Sequence, residues 1–136
     1  MNTPRAVRRT RKLQGFLLVT LLVLAGCTAP GTSDKPEILF FFVEGCDHCS
    51  RMKEALQPLL DEYSGLAVRY VDFGTSSGKS LLQRLAPQYG LQPPLDPPVI
   101  LVCNRAITGE GRSQELALRS AIVACASTSS CSLPLQ

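Results

Sequence analysis

The stretch EILFFFV, from Glu37 to Val43, is apolar and β-rich with no polar interruption after its first residue. A strand with one wet face alternates apolar and polar residues, whereas an unbroken run implies burial on both faces. The chain therefore has to build a sheet with a layer on each side. The rest of the sequence offers those layers. Met52, Ala55, Leu56, Leu59 and Leu60 recur at helical spacing, so a helix is expected from Ser50 onward, with Pro58 kinking or splitting it. Leu66 to Asp72 reads as a second strand. Leu81, Leu82, Leu85 and Tyr89 share one helical face over Ser77 to Tyr89, with Gly90 as a stop. The segment QPPLDPP has to be loop. Val99 to Cys103 reads as a third strand. Asn104-Arg105 then serves as a turn into a short strand over about Ala106 to Glu110. Leu118, Ala121, Ile122 and Cys125 mark the buried face of a last helix.

The expected order is β-α-β-α-β-β-α. A helix between the first two strands implies a parallel pair with a right-handed crossover, and the last two strands form an antiparallel hairpin. The fold class is α/β, a mixed four-stranded sheet with helices on both faces.

The first strand runs straight into Cys46-Asp47-His48-Cys49, which contains the chain's only histidine. A helix start carries partial positive charge and unpaired N–H groups, and both favour a thiolate over a thiol. The thiolate is the attacking species in disulfide exchange. On this reading Cys46 is the nucleophile and Cys49, about one turn in, resolves the mixed disulfide. Protonated His48 would favour the thiolate and Asp47 would oppose it. Two binding readings compete. Zinc would need a second ligand pair, and Cys103, Cys125 and Cys131 are not at ligand-pair spacing. Cys46, His48 and Cys49 as a Cu(I) site in a copper-binding or delivery module is the non-enzymatic rival. A redox-inert adaptor that keeps only the fold is the third reading.

FFFVEGCDHC, from Phe40 to Cys49, and DPPVILV, from Asp96 to Val102, lie in the order found in the thioredoxin-like superfamily, which the chain resembles from about Glu37 to Ala126. The resemblance implies a thioredoxin-like fold and thiol–disulfide oxidoreductase activity without a cofactor or resident metal. It also implies a cis-proline that packs against the cysteine pair. That role falls to Pro98, which the third strand follows directly, with Pro97 as the fallback. Three positions depart from the family. Gly45 stands where a tryptophan precedes the first cysteine, Phe40 where thioredoxins bury an aspartate, and Asp47-His48 where they carry Gly-Pro. The histidine resembles the dipeptides of the more oxidising members.

The chain begins with basic residues, Arg5, Arg8, Arg9, Arg11 and Lys12, followed by an apolar run from about Phe16 to Ala25. That run is about half the roughly 20 residues a membrane-crossing helix needs, and reads as a secretory signal. Its end, Leu24-Ala25-Gly26-Cys27, resembles the lipobox of bacterial lipoproteins, in which the cysteine is lipidated and becomes the mature first residue. The expected organisation is a cleaved signal over residues 1–26, a lipidated Cys27 and tether over 27–36, a thioredoxin-like domain over 37–127, and a frayed tail over 128–136. The expected location is the cell envelope, with the domain lipid-anchored and facing the periplasm or extracytoplasmic space. There it would act as a monomer on protein thiols or disulfides. The basic residues beyond residue 12 number nine against eleven acids, so nothing supports nucleic-acid binding.

Setting Cys27 aside for lipid and Cys46 and Cys49 for exchange leaves Cys103, Cys125 and Cys131. An odd number suggests one bridge and one thiol. Cys125–Cys131 is the expected bridge, with Cys103 a small buried hydrophobe; a Cys103–Cys125 bridge or a second redox relay stays open. GTSSGKS, from Gly74 to Ser80, imitates a phosphate-binding loop but has three residues between its glycines instead of the four required. It reads as a polar loop with a serine N-cap.

Overall fold

The computed structural model describes residues 37–128 together with Cys131 and Leu133. The expected signal sequence, Cys27 and the expected tether lie outside the described residues. The elements are β1 (Glu37–Phe42), α1 (Asp47–Glu62), β2 (Ala67–Asp72), α2 (Ser76–Leu85), a 3-10 segment (Ala86–Tyr89), β3 (Val99–Val102), β4 (Arg105–Thr108) and α3 (Arg112–Ala126). The strands form one mixed sheet in the order β2-β1-β3-β4, with β1 parallel to β2 and antiparallel to β3, and β3 antiparallel to β4.

β1 is central, and its side chains feed two cores in alternation. Ile38 and Phe40 join Ile100, Val102, α1 (Met52, Leu56, Leu59) and α3 (Leu118, Ile122) on one face. Leu39 and Phe41 join Val99, Leu101 and α2 (Leu82, Leu85) on the other. This two-sided burial is what the unbroken apolar run of β1 demands.

Several boundaries differ from the sequence expectation, each for a local reason. α1 begins at Asp47, ahead of the apolar repeat and at the cysteine pair as expected, because Cys46 itself caps it. Pro58 does not split α1, which runs through it to Glu62. Pro58 and Glu54 both face solvent, so water can satisfy the carbonyl left without a donor, while buried Leu56 and Leu59 hold the helix down. α2 stops at Leu85 rather than Tyr89. Pro87 has no N–H for the carbonyl four residues back, and the chain tightens into the 3-10 turn. Gly90, at φ 67°, ends that turn. The β3–β4 turn is Cys103-Asn104, one residue earlier than expected, and Cys103 takes a positive φ of 52°. The tail expected to fray has two fixed points. Cys131 packs with the α1/α3 core and Leu133 is buried in the α2 core.

The loop that imitates a phosphate-binding motif is a packing device. Its cap is Thr75 and not a serine: Thr75 Oγ1 accepts the Gly78 N–H at 3.0 Å. Gly78 is buried, and a Cβ there would run into the Asp72 carbonyl oxygen at the end of β2. Gly78→Ala is expected to destabilise the domain by about 1–3 kcal/mol, measured by chemical denaturation.

Candidate functional site

The strand register gathers the site at one end of the sheet. Phe42 ends β1 opposite Asp72 of β2, and the next residues carry the chain into the cysteine loop. Phe41 pairs with Val99, so Pro98 arrives at the same end, and Val99 pairs with Thr108, which brings Gly109 and Glu110 there too. The Gly109 N–H donates to the Pro98 carbonyl at 2.9 Å, tying the proline loop to the β4–α3 loop. The Pro97–Pro98 peptide bond is cis, so the cis residue is Pro98 and not Pro97, and Pro98 is buried. Beside it, Leu91, Leu95, Asp96, Val99 and Gly109 line an open pocket of about 350 Å³.

Gly45, at φ 73°, turns the chain from β1 into α1, a conformation that favours glycine over the bulky residue of the resembled family. Cys46 is the N-cap of α1. Its Sγ accepts the Cys49 N–H at 3.2 Å, taking one of the donors that a helix start leaves unpaired. The Cys46 carbonyl receives the Ser50 N–H at 3.1 Å and Ser50 Oγ at 3.3 Å, which locks the first turn. Cys46 is half-buried and Cys49 is 1% exposed. The two are joined as a disulfide, with Cα atoms 5.3 Å apart. The outer sulfur is thus reachable and the inner one shielded.

His48 does not stand free beside the pair. Its Nδ1 lies against Glu110 Oε1 and 3.0 Å from Arg51 Nη2. Arg51 Nε donates to Glu110 Oε2, and Arg51 Nη2 donates to Oε1 at 2.7 Å. Glu110 therefore joins the β4–α3 loop to the first turns of α1. The hydrogen bond from Arg51, helped by His48, pulls the Glu110 carboxyl down to about 2. Asp47 stands exposed in the first turn.

Sequence reasoning missed Glu110. It lies 62 residues from His48 in a Gly-Glu-Gly loop, with no local signal beyond its charge. Because its carboxyl titrates below the ordinary 4.5 when folded, the cluster's contribution is complete above about pH 4.5 and is lost as pH falls toward about 2. The groups face solvent, so salt should weaken the effect. Glu110→Gln is expected to flatten stability across that acid range, measured by unfolding at a series of pH values, while the Cys46–Cys49 linkage still forms.

Among the described residues, Cys46, His48 and Cys49 do not gather into a group able to share one metal ion. The group that does is Cys103, Cys125 and Cys131. The Cα of Cys131 lies 5.4 Å from that of Cys125, the expected partner, and 5.2 Å from that of Cys103, which is half-buried in the β3–β4 turn. No helix among the described residues is long and apolar enough to cross a membrane. No family model, curated protein or solved structure matches the chain.

Proposed function

We propose that the protein is a thioredoxin-like thiol–disulfide oxidoreductase that exchanges disulfides with protein partners through Cys46 and Cys49. The observation that carries this reading is Cys46 Sγ at the N-cap of α1, accepting the Cys49 N–H. A sulfur so placed is stabilised as a thiolate by a backbone donor and by the helix dipole. In the reducing direction, the Cys46 thiolate attacks one sulfur of a partner disulfide. A Cys46–partner bond forms, and the other partner sulfur leaves as a thiolate and takes a proton. Cys49, deprotonated, then attacks Cys46 Sγ and closes the intramolecular bridge, and the second partner thiol departs. Two electrons pass to the partner. The oxidising direction reverses each step. Pro98 and the open pocket beside it give an extended partner chain a place to lie next to the cysteine loop. No cofactor enters the reaction.

The sequence before the domain supports export and lipid anchoring at Cys27, which would hold the exchange site in the cell envelope. Mixed-disulfide trapping tests the exchange reading. Cys49→Ser leaves Cys46 unable to be resolved, and incubation with a disulfide-bonded peptide should yield a stable Cys46–peptide adduct by mass spectrometry. No adduct at Cys46 would refute it.

A further inference from the structure

The second cysteine cluster lies at the opposite end of the sheet. Ile38, at the start of β1, pairs with Val102, and Cys103 follows directly. Cys46 instead follows the other end of β1. α3 runs between the two ends, with Glu110 just before its start and Cys125 near its finish. The helix from Arg112 to Cys125 rises about 20 Å. The two cysteine centres therefore do not exchange directly, and the chemistry of the second is independent of the role of Cys46.

The Sγ atoms of Cys103, Cys125 and Cys131 all lie within 4.8 Å of one another. Cys131 has its Cα 5.2 Å from that of Cys103 and 5.4 Å from that of Cys125. Both spans lie within the ordinary disulfide range of about 4.4–6.8 Å. A sulfur holds one bridge at a time, so either bond leaves the third sulfur as a thiol beside it. Three different elements hold the cluster: the β3–β4 turn, α3 and the tail. The turn is pinned by Tyr89, whose hydroxyl donates to the Cys103 carbonyl at 2.8 Å. Cys103 itself lies in the left-handed region, a conformation disfavoured for a residue with a Cβ. The cluster opens to an apolar-sided pocket of about 320 Å³ that Arg105, Asn104 and Thr128 also line.

We propose that Cys103, Cys125 and Cys131 form a second thiol–disulfide exchange centre, in which three sulfurs share one disulfide and the odd thiol reacts with a small disulfide entering the pocket. In the internal step, the Cys103 thiolate attacks Cys131 Sγ of the Cys125–Cys131 bond. The Cys103–Cys131 bond forms, and Cys125 leaves as a thiolate that takes a proton from solvent. No net electrons move. In the external step, the odd thiolate attacks a small disulfide such as oxidised glutathione. A protein–glutathione bond forms, the reagent's own bond breaks, and one glutathione thiolate leaves.

Linkage mapping on the full chain tests this. The protein is prepared without reductant, acid-quenched, blocked with N-ethylmaleimide and digested with trypsin. Cys103 falls in the peptide spanning residues 85–105, and Cys125 and Cys131 share the peptide spanning residues 120–136. A Cys125–Cys131 bridge is thus internal to one peptide, whereas a Cys103–Cys131 bridge joins two. Both linkages are expected in one wild-type sample, with the label on Cys103 in the first form and on Cys125 in the second. Oxidised glutathione should add to the same two positions, and equally so in a chain carrying Cys46→Ser and Cys49→Ser. Cys125→Ala should shift the whole population to the joined peptides. Should that variant fail to fold by circular dichroism, the wild-type map decides alone. A single linkage in the wild-type chain overturns the proposal. So does an odd thiol that takes up no glutathione, or three thiols that stay unlabelled until a chelator strips a metal seen in the native mass. The last outcome would make the cluster a soft-metal site.

Discussion

Cys46→Ser is expected to abolish turnover of a disulfide-bonded peptide through the Cys46–Cys49 pair, with the fold intact. Serine preserves the cap, because its Oγ can accept the Cys49 N–H that Cys46 Sγ now takes. It removes the only half-buried sulfur of the pair and with it the nucleophile. Cys49→Ser should behave differently: the first attack survives and resolution fails, so product release stops while adduct accumulates. Exchange kinetics with a disulfide-bonded peptide, read beside the far-ultraviolet spectrum of each variant, separate loss of chemistry from loss of fold. Equal activity of Cys46→Ser and the wild type would support the redox-inert reading instead.

Phe40→Ala is expected to have the largest effect on stability. Phe40 is fully buried at the centre of β1 and joins Ile100, Met52 and Leu118 in the core between the sheet and α1/α3. Its ring lies 5.5 Å from that of Tyr70 across the β1–β2 pair. Truncating a buried phenylalanine costs about 3–5 kcal/mol. A small domain has only about 5–15 kcal/mol in total. A fall in melting temperature on the order of 20 °C is the expected result. Val43→Ala is the control: the side chain is 37% exposed, and the change should stay within about 0.5 kcal/mol. Similar losses in the two variants would mean that β1 is not a central strand covered on both faces.

The elements of this fold were legible where burial leaves a periodic trace. The unbroken run of β1 announced a sheet covered twice, and the spacing of Leu118, Ala121, Ile122 and Cys125 matched the buried face of α3. The misses came where one backbone group decides the outcome. Pro87, without an N–H, ended α2 early, and solvent around Pro58 let α1 continue. The Cys-x-x-Cys pair at a strand–helix junction was readable because its two sulfurs are sequence neighbours. Glu110 was not, because only the sheet register brings the β4–α3 loop to His48 and Arg51. The same limit applied to Cys103. Its place in a chain of alternating partners depends on the tail returning Cys131 to the β3–β4 turn, and no local pattern encodes that return.

The most direct test of the exchange reading is a redox titration of the full chain across a series of glutathione ratios, with thiols trapped by alkylation and each cysteine read by mass spectrometry. Cys46 and Cys49 should close and open together as one two-electron couple, their oxidised-to-reduced ratio changing tenfold per about 30 mV. A pair that never closes, two thiols that titrate separately, or thiols that resist alkylation until a chelator is added would contradict it.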